Sequence, residues 1–183
     1  MIIDDLSIPL TIDQIDFRIQ SINNGKYATI LAYKDARVDM DRLDVVCGKT
    51  NWKREHSNNN ANCTVSIWDE EKKQWVSKED TGTESYTESK KGLASDSFKR
   101  ACFNWGIGRE LYEYPVISIK LNDDEVISTG SERPKYKASY NLKLNDWNWA
   151  SEFNNNGELV ALACKDDKDK VRFVFGKFTP KAK

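Results

Sequence analysis

The sequence predicts an α+β fold: an antiparallel β-sheet with helices on it, in the order β-β-α-β-β-β-α, and a small C-terminal β-rich segment after it. Three observations carry this. Asn24-Gly25 stands between two runs rich in β-branched and aromatic residues, FRIQSI and YATILAY, which is a hairpin signal. Two later segments repeat apolar residues at helical spacing. The last third holds short apolar runs separated by NNNG and KDDKDK turns.

In order, the first hairpin is expected at 17–22 and 27–33. A single helical turn near Ile12–Ile15 precedes it, where Thr11 and Gln14 have capping-box spacing. Residues 35–48 read as a helix. Asp35 can cap it, Ala36, Met40, Leu43 and Cys47 share a face, and Gly48 stands where a left-handed C-terminal residue belongs. A strand follows at 51–56, then a second hairpin from 62–68 and 74–80. The longest helix is expected from Tyr86 to Trp105, with Ser85 and Glu88 as a capping box. Its apolar stripe is Ala94, Phe98, Ala101, Cys102 and Trp105, and Gly106 and Gly108 end it. Beyond Tyr114 the chain reads as loose and then as a β-meander built from NLKLNDWNW, ELVALAC and VRFVFGKF.

Composition excludes several classes. The 183 residues hold 28 Lys+Arg against 29 Asp+Glu, a net charge of −1. Such a chain does not coat nucleic acid by bulk charge. With 39% hydrophobic and 11% aromatic residues it is not a disordered tail either. No apolar run approaches the ~18–20 residues of a membrane span. Asp4 and Asp5 stand where a signal peptide would carry basic residues. The expectation is a soluble cytoplasmic protein, in the bacterial host cytoplasm if the chain is a phage protein. Four scattered cysteines, with no CxxC pair and one histidine, read as reduced, buried thiols rather than a zinc site.

Most apparent motifs dissolve under their physical requirements. CGKT at 47–50 lacks the earlier glycine of a phosphate loop and closes a helix instead of opening one. His56 has no base-orienting neighbour at a useful spacing. Asp39, Asp41 and Asp44 read as a solvated acidic face of the first helix. Trp52, Trp68, Trp75 and Trp105 read as core or protomer-interface residues, and Tyr33 as a conceivable base-stacking platform.

The stretch KKGLASDSFKRACFNWGIGRELY at 90–112 stands out. Residues 89–100 contain Lys90, Lys91, Lys99 and Arg100 against Asp96 alone. An ordinary charged helix surface is one reading. The other is a phosphate-binding ridge, since cations on a rigid helix can follow a phosphodiester backbone without reading bases.

SDSFKRACFNWGIGRELYEYP resembles the signature helix of the Rad fifty-two superfamily of single-strand annealing proteins, especially its phage (Sak-type) members. FRIQ, LAYKDARVDMDRLDVVCGKTNW and WVSKEDTG follow in the matching order, so the resemblance covers about residues 12–115. It implies an annealing core at 1–115 for DNA binding and oligomerisation, and a segment of unassigned role at 116–183. It also implies a homo-oligomeric ring or helical arc that holds single-stranded DNA by its backbone and anneals complementary strands without ATP, metal or other cofactor. No catalytic residues are then needed. By motif, the DNA-binding residues fall on Arg18, Lys99 and Arg100, with Lys90 and Lys91 two turns earlier. The family's outer DNA site finds no lysine in NNNANC. Family analogy names a single-strand-binding protein or a recombinase as partner. Two other classes stay open: a nucleotide- or metal-dependent hydrolase, and a ring-forming adaptor that binds no DNA.

Overall fold

The computed structural model describes residues 3–83, 89–130 and 135–180, with side chains from 4–83, 92–130 and 135–180. The expected order holds through the second helix: β1 (Asp16–Asn23), β2 (Tyr27–Tyr33), α1 (Ala36–Cys47), β3 (Trp52–Ser57), β4 (Asn62–Asp69), β5 (Gln74–Thr81) and α2 (Ser89–Asn104). Six further strands follow: β6 (Ile117–Lys120), β7 (Val126–Thr129), β8 (Lys135–Ala138), β9 (Asn148–Phe153), β10 (Leu159–Lys165) and β11 (Val171–Gly176). The chain falls into two compact units, 1–10 with 34–109 and 11–33 with 110–183. The 115/116 division expected above is one of role, and compaction follows a different line.

In the first unit, β3, β4 and β5 form an antiparallel sheet with β4 central. Alternation along β4 turns Cys63, Val65 and Ile67 to one face, and all three are fully buried. They form a core with Phe98, Ala101, Cys102 and Trp105 of the second-helix segment, Leu43 of α1 and Leu6. Burying a side chain the size of Phe98 or Leu43 contributes about 1.5–3 kcal/mol. The Trp105 indole N–H donates to the Val65 carbonyl at 3.0 Å, so the largest ring in this core leaves no unpaired donor.

Both ends of α1 follow from local chemistry. The Asp35 carboxylate accepts from the Arg37 backbone N–H, and Gly48 follows the last turn at φ +86°. Its ψ of 144° lies outside the left-handed helical basin expected for it. Residues 48–51 then make a turn into β3 (Asn51 N–H to Gly48 O, 3.0 Å), so CGKT does close a helix. The expected start of α2 at Tyr86 and its Ser85–Glu88 cap lie outside the described residues. At its other end Gly106 (φ +99°) and Gly108 (φ +73°) stop the helix as expected.

In the second unit, β1, β2 and β6 make one sheet and β9, β10 and β11 another, while β7 and β8 pair as a hairpin. Asn24 and Gly25, both at positive φ, make the β1–β2 turn, with Lys26 N–H donating to Asn23 O. The C-terminal meander is present. Its first strand starts only at Asn148, because Leu144–Asp146 form a 3-10 turn. Phe17 of β1 stacks on Trp149 of β9, centroids 3.6 Å apart and planes within 4°. The nearly inaccessible Arg172 ties this unit together, donating to Glu125 (2.7 Å), Asp166 (3.2 Å) and the Lys120 carbonyl.

Candidate nucleic-acid interface

Three of the five candidate cations have described side chains. Lys99 and Arg100 are consecutive on α2 in the first unit, and Arg18 is on β1 in the second. The side chains of Lys90 and Lys91 lie outside the described residues, although their backbone belongs to α2.

Consecutive helical residues diverge by about 100°, and Lys99 and Arg100 accordingly serve different neighbours. Lys99 is half-buried and within electrostatic reach of Asp35 and Asp39. The Arg37 hydrogen bonds hold the Asp35 carboxyl below its ordinary range; burial opposes them, and the charges of Arg37 and Lys99 add to them. Arg100 points to the β5 side, its Nε 3.3 Å from Asp80 Oδ1, with 39% of its side chain exposed. Asn104 reaches the other Asp80 oxygen at 3.3 Å. A pair this open adds at most ~1 kcal/mol of stability and is readily exchanged for another anion.

Further cations gather near the end of α2. Lys78 of β5 donates to the Asn104 carbonyl at 2.7 Å and sits 4.4 Å from the Trp105 ring centroid. Burial, then the Arg109 charge, lowers its pKa. Arg109 donates to the Phe103 and Asn104 carbonyls. It is exposed and closes the helix end from outside. Arg54 of β3 lies 4.7 Å from the Phe98 ring centroid. A sequence signal for Lys78 existed: β5 alternation puts it on the face of Val76, opposite Val65.

Arg18 is exposed, with its guanidinium 5.6 Å from the Tyr33 ring centroid. The ring proposed as a stacking platform therefore already carries a cation. Among the tryptophans, Trp105 is core. Trp68 and Trp75 meet edge to face, 5.6 Å apart, on the sheet face away from α2, and Trp75 is exposed.

The acidic face of α1 requires a correction. Asp41 is exposed, but Asp39 is fully buried and ion-paired with the equally buried Lys34. Lys34 also donates to the Ile107 carbonyl and lies 4.1 Å from the Phe103 ring centroid. Burial outweighs the lysine and raises the Asp39 pKa to about 6. Asp44 accepts from the Trp52 indole N–H at 2.7 Å. His56 is half-buried, with its pKa lowered by burial and then by Arg54, and its ring lies 3.5 Å from Ser97 Oγ. Among the described residues no three His, Cys, Asp or Glu side chains group as metal ligands would, and no helix is long and apolar enough to cross a membrane.

Residues 58–126 match the model of the Rad52/22 family double-strand break repair protein. The chain carries a Rad52/22-family region. No curated protein and no solved structure matches it at a significant level. The Rad52/22 region takes in β4, β5 and α2, hence Lys78, Lys90, Lys91, Lys99, Arg100 and Arg109, and leaves out β1 with Arg18. The match spans residues 58–126, less than half of the chain, and supports a link to DNA repair and recombination.

Proposed function

We propose that this chain binds single-stranded DNA and anneals complementary strands as an oligomeric ring or helical arc, without ATP and without a catalytic residue. The annealing and oligomerising role is assigned to residues 1–115. The backbone of one strand is held by Lys99 and Arg100, with Lys90 and Lys91 of the same helix adding to the path, and Arg18 of the second unit is a further DNA contact. The observation that carries this is the placement of Lys99 and Arg100 at consecutive positions, outside the apolar stripe, of a helix whose stripe is locked into the core, inside the family-matched region. A rigid helix can present charge without reorganising, and contact with phosphates leaves base edges free to pair. Lys78 and Arg109 extend the same basic end of α2.

A few phosphate contacts per protomer are weak alone, and repetition around an oligomer sums them. Pairing itself then supplies about 1–2 kcal/mol per step. The test is fluorescence-monitored annealing of complementary oligonucleotides with chelator present and nucleotide absent. Acceleration is expected. An absolute need for nucleotide or metal contradicts the proposal, and nucleotide turnover abolished by Lys49→Ala would favour the hydrolase. The Arg100–Asp80 pair favours a second reading, in which this charge only holds β5 to α2 and the ring is an adaptor. Oligomers that bind no oligonucleotide would select it.

A further inference from the structure

The strands β1, β2 and β6 of the second unit divide their side chains between two faces. Ala28, Ile30, Ile117 and Ile119 turn to one face and are buried. The register sets Arg18 opposite Leu31 and Lys120 opposite Tyr27, with Thr29 and Ser118 paired between them, so these side chains share the other face. That face is open: Arg18, Ser118 and Lys120 are exposed, and Tyr27 is 47% exposed. Among the described residues the Tyr27 ring meets no other ring and no cation, and neither Arg18 nor Lys120 has a carboxylate partner. Asp16, at the opposite end of the sheet from Lys120, is the one carboxylate that the three strands carry.

We propose that this face takes single-stranded nucleic acid with a base laid on Tyr27, Lys120 holding a phosphate beside that base and Arg18 a phosphate further along the same strand. The inference rests on the single-strand-binding reading above and adds a base contact to it, away from α2. At 3.4 Å per residue and about 4.8 Å between strands, Arg18 and Lys120 stand about 17 Å apart, a span of more than one nucleotide. Two unpaired cations against one carboxylate favour a polyanion. An unpartnered ring on a rigid strand offers a flat surface to any base, whatever the sequence, while the Tyr33 ring already has Arg18 beside it. A duplex keeps its bases inside the stack, so only a single strand can use Tyr27. A protein partner would call for an apolar centre, and the aliphatic residue of this face is the half-buried Leu31. A base leaves the ring when it pairs, so the contact holds unpaired strand and releases duplex.

The test is the affinity of the full chain for a fluorescent thymidine oligonucleotide across a salt series. Tyr27→Ala should weaken binding about tenfold per protomer engaged at every salt concentration and leave the log–log slope unchanged, because a lost stack releases no counterion. Tyr27→Phe keeps the ring and should bind as the unsubstituted chain does. Lys120→Ala should make the slope shallower by roughly 0.7 per protomer engaged, one phosphate contact on a single strand. Tyr140→Ala, which removes an 85% exposed tyrosine outside this sheet, should change nothing. If the unsubstituted chain binds no oligonucleotide, the single-strand-binding reading fails and this inference with it. If it binds, and Tyr27→Ala or Lys120→Ala binds equally well, the inference alone is overturned. It is overturned too if Tyr27→Phe or Tyr140→Ala loses as much as Tyr27→Ala, or if Tyr27→Ala changes the oligomer mass, the mark of a contact between copies.

Discussion

Lys34 and Asp39 show how much one pair can hold and how little of it a local pattern reveals. They are five residues apart, yet the lysine leads into α1 and the aspartate lies within it. Both are buried, because Lys34 crosses Gly108 to reach the Ile107 carbonyl; a Cβ at Gly108 would lie 2.9 Å from Lys34 Cδ. The ionisation of Asp39 carries a sign that can be worked out. Its folded pKa, about 6, stands above the ordinary 3.8 of an aspartate. Below pH ~4 both states are protonated. Between pH ~4 and ~6 the unfolded chain ionises first, so this residue's contribution to stability falls with rising pH, by about 3 kcal/mol in all. Lys34→Met removes the cation and should cost about 3–5 kcal/mol at pH 7, as broken buried pairs do. The cost should shrink at pH 4.5, where a neutral Asp39 needs no partner. Urea unfolding at both pH values measures it; a cost independent of pH would contradict this account.

At the scale of elements, α2 is positioned by a close approach as much as by its apolar stripe. Gly82, just after β5, lies so near the helix that a Cβ would stand 2.6 Å from the Ser97 backbone nitrogen and 3.0 Å from the Leu93 carbonyl oxygen. Backbone atoms cannot swing aside, so Gly82→Ala should destabilise by about 1–3 kcal/mol, visible as a lowered melting temperature. An unchanged melt would show that strand and helix are looser than described. Much of this level was legible in the sequence. The Asn24-Gly25 turn, the Asp35 cap and the α2 stripe are set by residues a few positions apart. The partners of Lys99 and Arg100 were not legible. Asp80, 20 positions before Arg100, meets it only once β5 lies beside α2. Asp39 looked like its exposed neighbour Asp41 because both lie on α1, and only the arrival of Lys34 separates them. The loose region after Tyr114 hid β6 and the β7–β8 hairpin, four-residue strands whose pattern is too short to read.

At the scale of the whole molecule, the annealing role assigned to 1–115 and the folding of the chain are not divisible at the same place. β6 pairs with β2 (Ile30 opposite Ile117, Ala28 opposite Ile119), and Phe17 stacks on Trp149. A 1–115 fragment loses both and leaves a two-stranded hairpin, which is marginal alone. The first unit keeps its own core, so only part of the near-ultraviolet dichroism should go, and the β1–β2 amides should exchange faster than in the full chain; equal protection of those amides in fragment and full chain would contradict this. A net charge of −1 excludes binding by bulk charge and leaves room for a local ridge. Within 89–100 the balance is +3, yet Lys99 lies within reach of Asp35 and Asp39, and Arg100 is paired to Asp80. Binding then requires DNA phosphates to replace the Asp80 carboxylate. The most direct measurement is single-stranded DNA affinity across a salt series for the full chain and for Lys99→Ala with Arg100→Ala, with oligomer mass followed in parallel. The expected result is an unchanged mass, a large loss of affinity, and a log–log salt slope shallower by roughly 0.7 for each phosphate contact removed per binding unit. Unchanged affinity and slope at matched salt would contradict the assignment of this helix to DNA.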